Sequence, residues 1–164
     1  MIYTPYIEII MRNARIEDIE VIHRIYMSPE VNPYMNFDLV SIEDFKPLLL
    51  ECINDLKIIE SEGNIIGVIG LTRMKNRRSH VLFLSKFAIA PEYNGKGYGS
   101  KVIKDIIKDA KSTGVKKIEL MAEEDNSGAI EFYKKLGFAI EGKISNSIYR
   151  DGVMVDDYYM GITL

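Results

Sequence analysis

Three glycines alternate with other residues at Gly95, Gly97 and Gly99, directly after an apolar segment and directly before an amphipathic one. Glycine adopts positive φ angles and lets a ligand come close to the backbone. A helix that starts here presents unpaired N–H groups and a partial positive charge at its first turn. The pattern therefore indicates an anion site, and a diphosphate is the group that suits it best. The same pattern also fits a tight turn that binds nothing.

Two well-known phosphate-binding motifs do not match this loop. A Walker A loop requires Ser or Thr after Gly-Lys, but Gly95-Lys96 is followed by Gly97. The dinucleotide motif G-x-G-x-x-G requires a glycine at its sixth position, where this sequence has Ser100. The loop is therefore neither a P-loop nor a dinucleotide-binding turn.

Hydrophobic periodicity predicts the elements that flank the loop. The segment VLFLSKFAIA (81–90) is almost continuously apolar, which is typical of a strand covered on both faces. An amphipathic helix follows to about residue 112, and KKIELMA (116–122) is the next strand. Two strands joined through a helix form a right-handed parallel crossover, and ligands in such sheets bind beyond the carboxyl ends of the strands.

The rest of the chain supplies the other elements of the fold. They are a strand at 6–11, a helix at about 15–27, a loop at 28–40, a helix after Ser41, a hairpin of 56–60 and 64–72, a short helix capped by Asp125 or Asn126, and a closing hairpin around Asp151-Gly152. The inner face of the second helix is assigned to Phe45, Leu48, Leu49 and Cys52, although Pro47 argues against its early part. The order predicts a single α+β domain over 1–164 with a mixed sheet and helices on both faces.

Composition limits the functions that this chain can have. A chain of 164 residues with a formal net charge of -3 is not a general nucleic-acid binder, which needs a basic face. The single cysteine, Cys52, excludes an internal disulfide and any CxxC metal or redox motif, so no metal site is expected and a reducing cytoplasm is the expected location. No signal peptide or membrane-spanning run is predicted.

Two motifs in this chain resemble those of the GNAT superfamily of N-acetyltransferases. The first is Asn94-Gly95-Lys96-Gly97-Tyr98-Gly99 after FAIAPEY, in which Asn94 replaces the usual Gln or Arg. The second is Asn126 at the start of a short helix with Ala129, Tyr133 and Leu136-Gly137-Phe138 downstream. The resemblance covers most of the chain and is strongest from about 82 to 160. It implies a mostly antiparallel, seven-stranded sheet with one parallel crossover at the cofactor site.

The resemblance further implies acetyl-coenzyme A as the donor and direct attack by an amine on its thioester. The residues that it assigns to cofactor binding lie in the strand before the loop, in the loop itself and on the short helix: Phe87, Ala88, Ile89, Asn94, Gly95, Lys96, Gly97, Tyr98, Gly99, Ser100, Asn126 and Tyr133. The loop N–H groups are expected to hold the diphosphate, and the strand is expected to pair with the pantetheine arm and polarise the thioester carbonyl. Asn126 can also cap its helix.

Tyr133 is the candidate catalytic acid for the departing thiolate, with a core tyrosine as its alternative role. The general base is not assigned, because Phe83 and Met121 occupy the two positions where relatives carry a glutamate. The substitutes are Glu123, Glu124, Glu60 and His80, and water can also take the proton. His23 is interpreted as a residue of a helix face and Cys52 as a core residue.

The acceptor is expected near the 28–40 loop, the basic loop 73–78 and the closing hairpin. Asp156, Asp157, Tyr158 and Tyr159 are candidates for meeting a cationic amine, although such residues are often simply surface. The tail resembles members that acylate amino acids or small amines, so a small-molecule amine is the expected acceptor. Acetylation of protein N-termini or lysines is the alternative, and an acyl-CoA sensor without turnover is a third hypothesis. A homodimer is also expected, with Tyr158-Tyr159-Met160 as a contact.

Overall fold

The computed structural model describes residues 7–164, which form seven strands and four α-helices. The strands are β1 (Ile10–Asn13), β2 (Leu56–Ser61), β3 (Asn64–Arg73), β4 (Val81–Ile89), β5 (Lys117–Glu123), β6 (Ala139–Arg150) and β7 (Val153–Thr163). The helices are α1 (Ile19–Tyr26), α2 (Ile42–Leu50), α3 (Tyr98–Ser112) and α4 (Ser127–Lys135). This is the order that the sequence predicts.

The strands are ordered β1-β2-β3-β4-β5-β7-β6 in one sheet. β4 and β5 are parallel, whereas β1–β2, β2–β3, β5–β7 and β6–β7 are antiparallel. The predicted α+β class, the mixed seven-stranded sheet and its parallel crossover are therefore confirmed. In the described part of the chain, no helix has the length and apolar character needed to cross a bilayer.

Two compact units divide the chain. The first contains the described residues up to Gly70 together with Lys86–Val102, and the second contains Leu71–Ser85 together with Ile103–Leu164. The core of the first unit is formed by α1, α2, β2 and the end of β4, with Tyr26, Phe45 and Leu49 fully buried. Burial of each such side chain contributes roughly 1.5–3 kcal/mol.

The first strand lies further along the chain than the apolar pattern predicts. It begins at Ile10 and extends to Asn13, whereas the predicted strand covered 6–11, of which Tyr6 lies outside the described residues. The reason is cross-strand pairing, because Ile10 lies opposite Glu60 and Asn13 lies opposite Lys57. Arg12 is polar, yet it fits the strand because its Nε donates to Glu60 Oε1 at 2.7 Å.

The second helix also differs in detail from its sequence pattern. Ser41 caps it by accepting a hydrogen bond from the Asp44 N–H, and the helix continues through Pro47. Phe45 and Leu49 are buried as expected, but Leu48 is 43% exposed and does not belong to the inner face. Leu48 lies one position from Leu49, and adjacent residues of a helix point about 100° apart.

Candidate active site

The glycine loop of the first unit has a backbone conformation that requires glycine. Gly95 has φ 74° and Gly97 has φ 85°, and both lie in the left-handed region that side chains with a Cβ avoid. A Cβ atom built on Gly95 would meet no heavy atom within 4 Å. Residues 94–97 are exposed, so the surface of the loop is open to a ligand.

Helix α3 begins directly after Gly97. The first hydrogen bond of the helix is donated by the Lys101 N–H to the Gly97 carbonyl at 3.1 Å. The N–H groups of Tyr98, Gly99 and Ser100 therefore precede the first donor of the helical series and have no partner within the helix. Together with the positive end of the helix dipole, they form a site for an anion such as a phosphate group.

Aromatic contacts hold this loop from both of its ends. The rings of Tyr93 and Tyr98 meet edge to face with 5.8 Å between centroids. The Lys96 ammonium lies 5.6 Å from the centre of the Tyr93 ring, which is within the range of a cation–π interaction. Of the predicted loop residues, Asn94 is exposed and adopts an extended backbone after the turn at Pro91–Tyr93.

The end of strand β4 directs alternate backbone groups to its two edges. The Ala90 N–H donates to the Ile66 carbonyl of β3 at 2.8 Å, and the Ala88 carbonyl lies against Gly67 of β3. Because successive residues of a regular strand point their N–H and C=O groups to opposite edges, Ile89, which lies between Ala88 and Ala90, directs its groups away from β3. The left-handed backbone of Lys86 interrupts this alternation before Phe87. On the β5 side, the parallel ladder pairs Val81–Phe83 with Lys117–Glu119. Ala88 points its carbonyl to β3, and the roles of Phe87 and Ile89 toward a cofactor stay predictions.

In the second unit, Asn126 and Tyr133 lie on the same short helix, as predicted. The Asn126 Oδ1 accepts a hydrogen bond from the Ala129 N–H at 3.1 Å, which confirms that this side chain caps α4. Tyr133 is 8% exposed and packs edge to face on Phe132 and Phe138, with centroids at 5.0 and 5.4 Å. Burial raises the pKa of its phenol well above the ordinary value.

The hydroxyl of Tyr133 remains available as a proton donor. Burial is the single cause of its raised pKa, and no hydrogen bond contributes to that shift. The phenol therefore stays protonated at neutral pH, since its pKa is raised rather than lowered.

The substitute bases differ in their surroundings. Glu123 is buried, and this burial raises the pKa of its carboxyl even though Arg150 pairs with it. The negative charges of Asp125 and Asp157 act in the same direction as burial. Met121, at the position where relatives carry a glutamate, is 39% exposed and has no proton-accepting group.

The other substitutes are tied to structural partners or exposed. Glu124 accepts from Lys143 Nζ at 3.0 Å and from the Tyr158 hydroxyl at 2.9 Å. Glu60 is paired with Arg12 in the first unit. His80 is an exposed residue whose carbonyl accepts from the Lys116 N–H. Glu123 is therefore the substitute whose carboxyl pKa is raised, with burial as the largest cause.

The candidate acceptor residues of the closing hairpin also have partners within the chain. Asp156 pairs with Lys143 at 2.8 Å, and Asp157, which is only 4% exposed, accepts from the Ser147 hydroxyl at 2.6 Å. The Tyr159 hydroxyl donates to Glu119 Oε2 at 2.6 Å. These residues form a network of hydrogen bonds and ion pairs inside the second unit.

Sequence reasoning missed three members of this network. Buried Glu119 accepts from Arg78 and Tyr159. Burial acts to raise its pKa, but Tyr159, Lys117 and Arg78 together lower it. Arg150 bridges Glu123 and Asp125. Arg78 belongs to the basic loop, so that loop is not merely a solvated tip. Glu119 stands between the apolar residues Ile118 and Leu120 of strand β5, and this is the sequence signal that pointed to a buried carboxylate with a cationic partner.

His23 and Cys52, which the sequence assigns to structural roles, both contact the rest of the first unit. His23 lies on α1, where Nε2 lies 2.9 Å from the Val40 carbonyl and the ring packs edge to face on Phe45. Cys52 is partly buried against the core of the first unit, and burial raises the pKa of its thiol. A raised pKa makes a thiol a weaker nucleophile at neutral pH, which agrees with a packing role.

Comparisons with known proteins give the same assignment as the motifs. A family model described as the acetyltransferase (GNAT) family matches residues 17–138. The L-amino acid N-acetyltransferase AaaT of Escherichia coli is 29% identical over 165 residues, which cover 93% of this chain and 96% of that protein. The N-alpha-acetyltransferase of Sulfurisphaera tokodaii is 28% identical over 168 residues, with coverages of 94% and 92%. The structure of yncA from Salmonella typhimurium, solved with its cofactor acetyl-CoA, superposes with a TM-score of 0.73 at 19% identity, with coverages of 96% and 94%.

Proposed function

Because this chain belongs to the acetyltransferase (GNAT) family and is an acetyl-CoA-dependent N-acetyltransferase, we propose that it acetylates the primary amine of a small molecule such as an amino acid. The observation that carries the choice of acceptor is the similarity to an L-amino acid N-acetyltransferase over nearly the full length of both chains. The segment 28–40 supports this choice of acceptor. His23 contacts Val40 and Phe45 contacts Phe37, and these contacts hold the segment against α1 and α2. A fixed segment suits a small acceptor better than it suits a peptide acceptor.

The glycine loop fits the diphosphate of acetyl-CoA. Gly95 and Gly97 leave room where a side chain would stand, and the amides of Tyr98, Gly99 and Ser100 supply donors at the positive end of α3. When bound, acetyl-CoA supplies an activated acetyl carbonyl and a thiolate leaving group. Asn94, Gly95 and Lys96 complete the proposed binding loop around the phosphates.

Strand β4 and helix α4 supply the groups for the chemical step in this proposal. The N–H groups of Phe87 and Ile89 pair with the pantetheine arm and donate to the carbonyl oxygen as it gains charge. Such a donor is worth about 3–4 kcal/mol in the transition state. As the amine nitrogen bonds to the acetyl carbon and the carbon–sulfur bond breaks, the Tyr133 hydroxyl gives its proton to the sulfur. The nitrogen then releases its extra proton to solvent, and the tyrosinate regains a proton from solvent. Asn126 contacts the cofactor arm through its side-chain amide.

The ammonium form of the acceptor must lose a proton before it can attack. Neither Phe83 nor Met121 can accept it, and the carboxylate of Glu123 is engaged by Arg150. We therefore assign this step to solvent water. A positioned base typically contributes ~100–10,000-fold, so the enzyme is expected to be slow at neutral pH and faster as the pH rises.

A thiol-release assay across classes of amine tests the proposal. The panel contains amino acids, polyamines, aminoglycosides and peptides with a free N-terminus, each with acetyl-CoA. The proposal expects amino acids or related small amines to give the highest kcat/KM. If only peptides react, the chain acetylates protein N-termini or lysines, as the similarity to the N-alpha-acetyltransferase would favour. An absence of transfer to every amine would instead favour the sensor hypothesis. We place this activity in the cytoplasm, since the single cysteine needs no oxidising compartment.

A further inference from the structure

Three carboxylates are buried on one face of the sheet in the second unit. Glu119 is 6% exposed, Glu123 is 7% exposed and Asp157 is 4% exposed. Glu123 lies directly opposite Asp157 in the β5–β7 ladder, and Glu119 precedes Glu123 by four positions on β5. Opposite residues share a face of a sheet, and so do residues an even number of positions apart on one strand. The three carboxyl groups therefore stand on the same face, where a buried charge needs a partner of opposite charge.

Asp157 differs from the other two carboxylates in its partner. Glu119 and Glu123 each form an ion pair with an arginine. The Oδ2 atom of Asp157 instead accepts a hydrogen bond of 2.6 Å from the Ser147 hydroxyl, which carries no charge. Among the residues that the structure describes, no Lys, Arg or His forms an ion pair with Asp157. Its carboxylate is therefore buried without a cation, which is rare for an aspartate in a folded protein.

A bulge in β6 places Ser147 beside this carboxylate. β6 pairs with β7 at Ile144–Asp157 and next at Ile148–Val155, so residues 145–147 of β6 stand against residue 156 of β7. Bulges of this kind redirect side chains and are frequent next to binding sites. Because Ser147 holds one oxygen of Asp157, the carboxylate has a fixed orientation.

The approach to Asp157 passes exposed apolar side chains. Ile144 lies directly opposite Asp157 on β6 and is 42% exposed. Met121 lies two positions before Glu123 on β5 and is 39% exposed. Both side chains stand on the face that carries the carboxylates. An ammonium group on a small apolar substituent suits this arrangement, because the charge meets the carboxylate while the substituent covers the apolar side chains.

The position of Asp157 along the sheet also suits an acceptor. Its partner Glu123 is the last residue of β5, and ligands in sheets with a parallel crossover bind beyond the carboxyl ends of the strands. The Asn126 N–H donates to the Glu123 carbonyl at 2.9 Å. Helix α4, which carries Tyr133, therefore begins directly after the pair of carboxylates.

Repulsion among the carboxylates favours a cation on this face. Burial is the largest cause of the raised pKa of Glu123, and the charges of Asp125 and Asp157 raise it further against the lowering effect of Arg150. Asp157 is therefore near enough to Glu123 for its charge to disfavour a second carboxylate. A positive group bound at Asp157 relieves this repulsion.

We propose that Asp157 binds the ammonium group of the acceptor and thereby selects amines that are cationic at neutral pH. The inference rests on the proposed acetylation of a small-molecule amine and identifies a residue that recognises it. The carboxylate accepts N–H hydrogen bonds from the ammonium. After one of the ammonium protons has passed to solvent water, the neutral amine attacks the thioester. Asp157 is thus a specificity-determining residue, and its loss changes KM for the acceptor rather than the affinity for acetyl-CoA.

The test compares Asp157→Asn with Asp109→Asn. Asparagine keeps the shape of Asp157 and an oxygen that accepts from Ser147, but it removes the charge. Asp109→Asn removes one negative charge from an exposed position on α3 and is the matched control. Steady-state thiol release gives kcat and KM for the best amine found for the wild type. The second acceptor is the same amine with fluorine atoms on the carbon next to the one that bears the nitrogen, which makes it largely neutral at the assay pH.

The KM of Asp157→Asn for the cationic amine should rise about ten- to a hundredfold, which corresponds to about 1.4–2.8 kcal/mol. The KM for the fluorinated amine should change less than threefold, and Asp109→Asn should resemble the wild type with both amines. In urea unfolding, Asp157→Asn should be at least as stable as the wild type, because a buried charge without a cation costs stability. A KM for the cationic amine within twofold of the wild type would overturn the inference, as would an equal rise for both amines.

A second measurement tests the inference on the wild type if Asp157→Asn folds poorly. The counterpart of the amine in which a hydroxyl replaces the nitrogen is neutral, so it should inhibit only at concentrations at least tenfold above the KM of the amine. Inhibition at concentrations near that KM counts against the inference, since charge would then contribute nothing to binding. Turnover by the wild type is measured first, because its absence would reject the proposed function itself, whereas an unchanged KM in Asp157→Asn rejects only the role of Asp157.

Discussion

The side-chain oxygen of Asn126 accepts a hydrogen bond of 3.1 Å from the Ala129 N–H and so caps helix α4. An asparagine side chain also carries an NH₂ group with two donors, which this cap does not use. The same residue can therefore stabilise the helix and contact a cofactor, and a substitution can separate the two roles.

We predict that Asn126→Ser keeps the helix cap and loses the contact with the cofactor. Serine is as good a cap as asparagine, so the free energy of unfolding should change by less than about 0.5 kcal/mol. Coenzyme A should bind several-fold more weakly in calorimetry. Asn126→Ala serves as the comparison, because it loses the cap as well and should cost about 1 kcal/mol in urea unfolding. Equal affinity in the serine variant and the wild type would leave Asn126 as a cap alone.

Gly97→Val should weaken coenzyme A binding at least tenfold, or about 1.4 kcal/mol, while the fold survives. The side chain would stand where the backbone approaches the diphosphate, and φ 85° adds strain. Gly114→Val is the matched control, because Gly114 has φ 74°, ends helix α3 and has no neighbour within 4 Å of a built Cβ. Both variants should lose stability, but only the first should lose affinity. Unchanged affinity in Gly97→Val, measured by calorimetry, would rule the loop out as the site.

Tyr133→Phe should lower kcat by tens to thousands of fold, within the range for general acids. The change removes only the hydroxyl, and it keeps the ring packed on Phe132 and Phe138. The melting temperature and the affinity for coenzyme A should therefore stay close to those of the wild type. A kcat within about twofold, under conditions where chemistry limits turnover, would assign Tyr133 to packing.

The stability of the first unit should depend on pH through Asp18. Its carboxylate accepts two hydrogen bonds of 2.8 Å from Arg12 and one of 2.7 Å from the Arg15 N–H, and the bonds from Arg12 lower its pKa most. A lowered folded-state pKa means that the unfolded chain binds more protons at acidic pH. This stabilisation is complete above the ordinary pKa of 3.8 and is lost as the pH falls below it.

Asp18→Asn removes the charge that this pH dependence requires. The variant should lose about 1.5–3 kcal/mol of unfolding free energy at pH 7, the usual value for hydrogen bonds to a charged group. Its stability should also fall less steeply than that of the wild type as the pH is lowered below 3.8, as measured by urea unfolding. If the unfolding free energy of Asp18→Asn fell with decreasing pH as steeply as that of the wild type, other carboxylates would dominate the pH dependence.

The expected homodimer needs a different contact surface from the one that the sequence suggested. Met160 is fully buried within the chain, and Tyr158 and Tyr159 donate to Glu124 and Glu119. Among the exposed apolar side chains of the closing hairpin are instead Tyr149, Val153 and Met154. Light scattering at micromolar concentration should give the mass of a dimer. The substitution Met154→Glu should shift the measured mass toward that of a monomer. A monomer mass for the wild type would reject the prediction.

The sequence by itself determined the order of the elements, the glycine loop and the cap of α4. These features are local, because hydrophobic periodicity, positive φ at glycine and helix capping depend on residues within a few positions of one another. The two type I′-like turns follow the same logic, since Glu62-Gly63 and Asp151-Gly152 each place two residues at positive φ. The family assignment also came from two such local motifs.

Only the tertiary structure decided which polar groups meet. Glu119 and Arg78 are 41 residues apart, Glu123 and Arg150 are 27 apart, and Tyr26 and Lys86 are 60 apart. Each contact depends on the register of strands or on the packing of a helix against a strand, which no local pattern encodes. For the same reason, the left-handed backbone of Lys86 could not be foreseen. A lysine within an apolar run predicts an ordinary strand, and the phenol that holds its carbonyl in place comes from a helix near the other end of the chain.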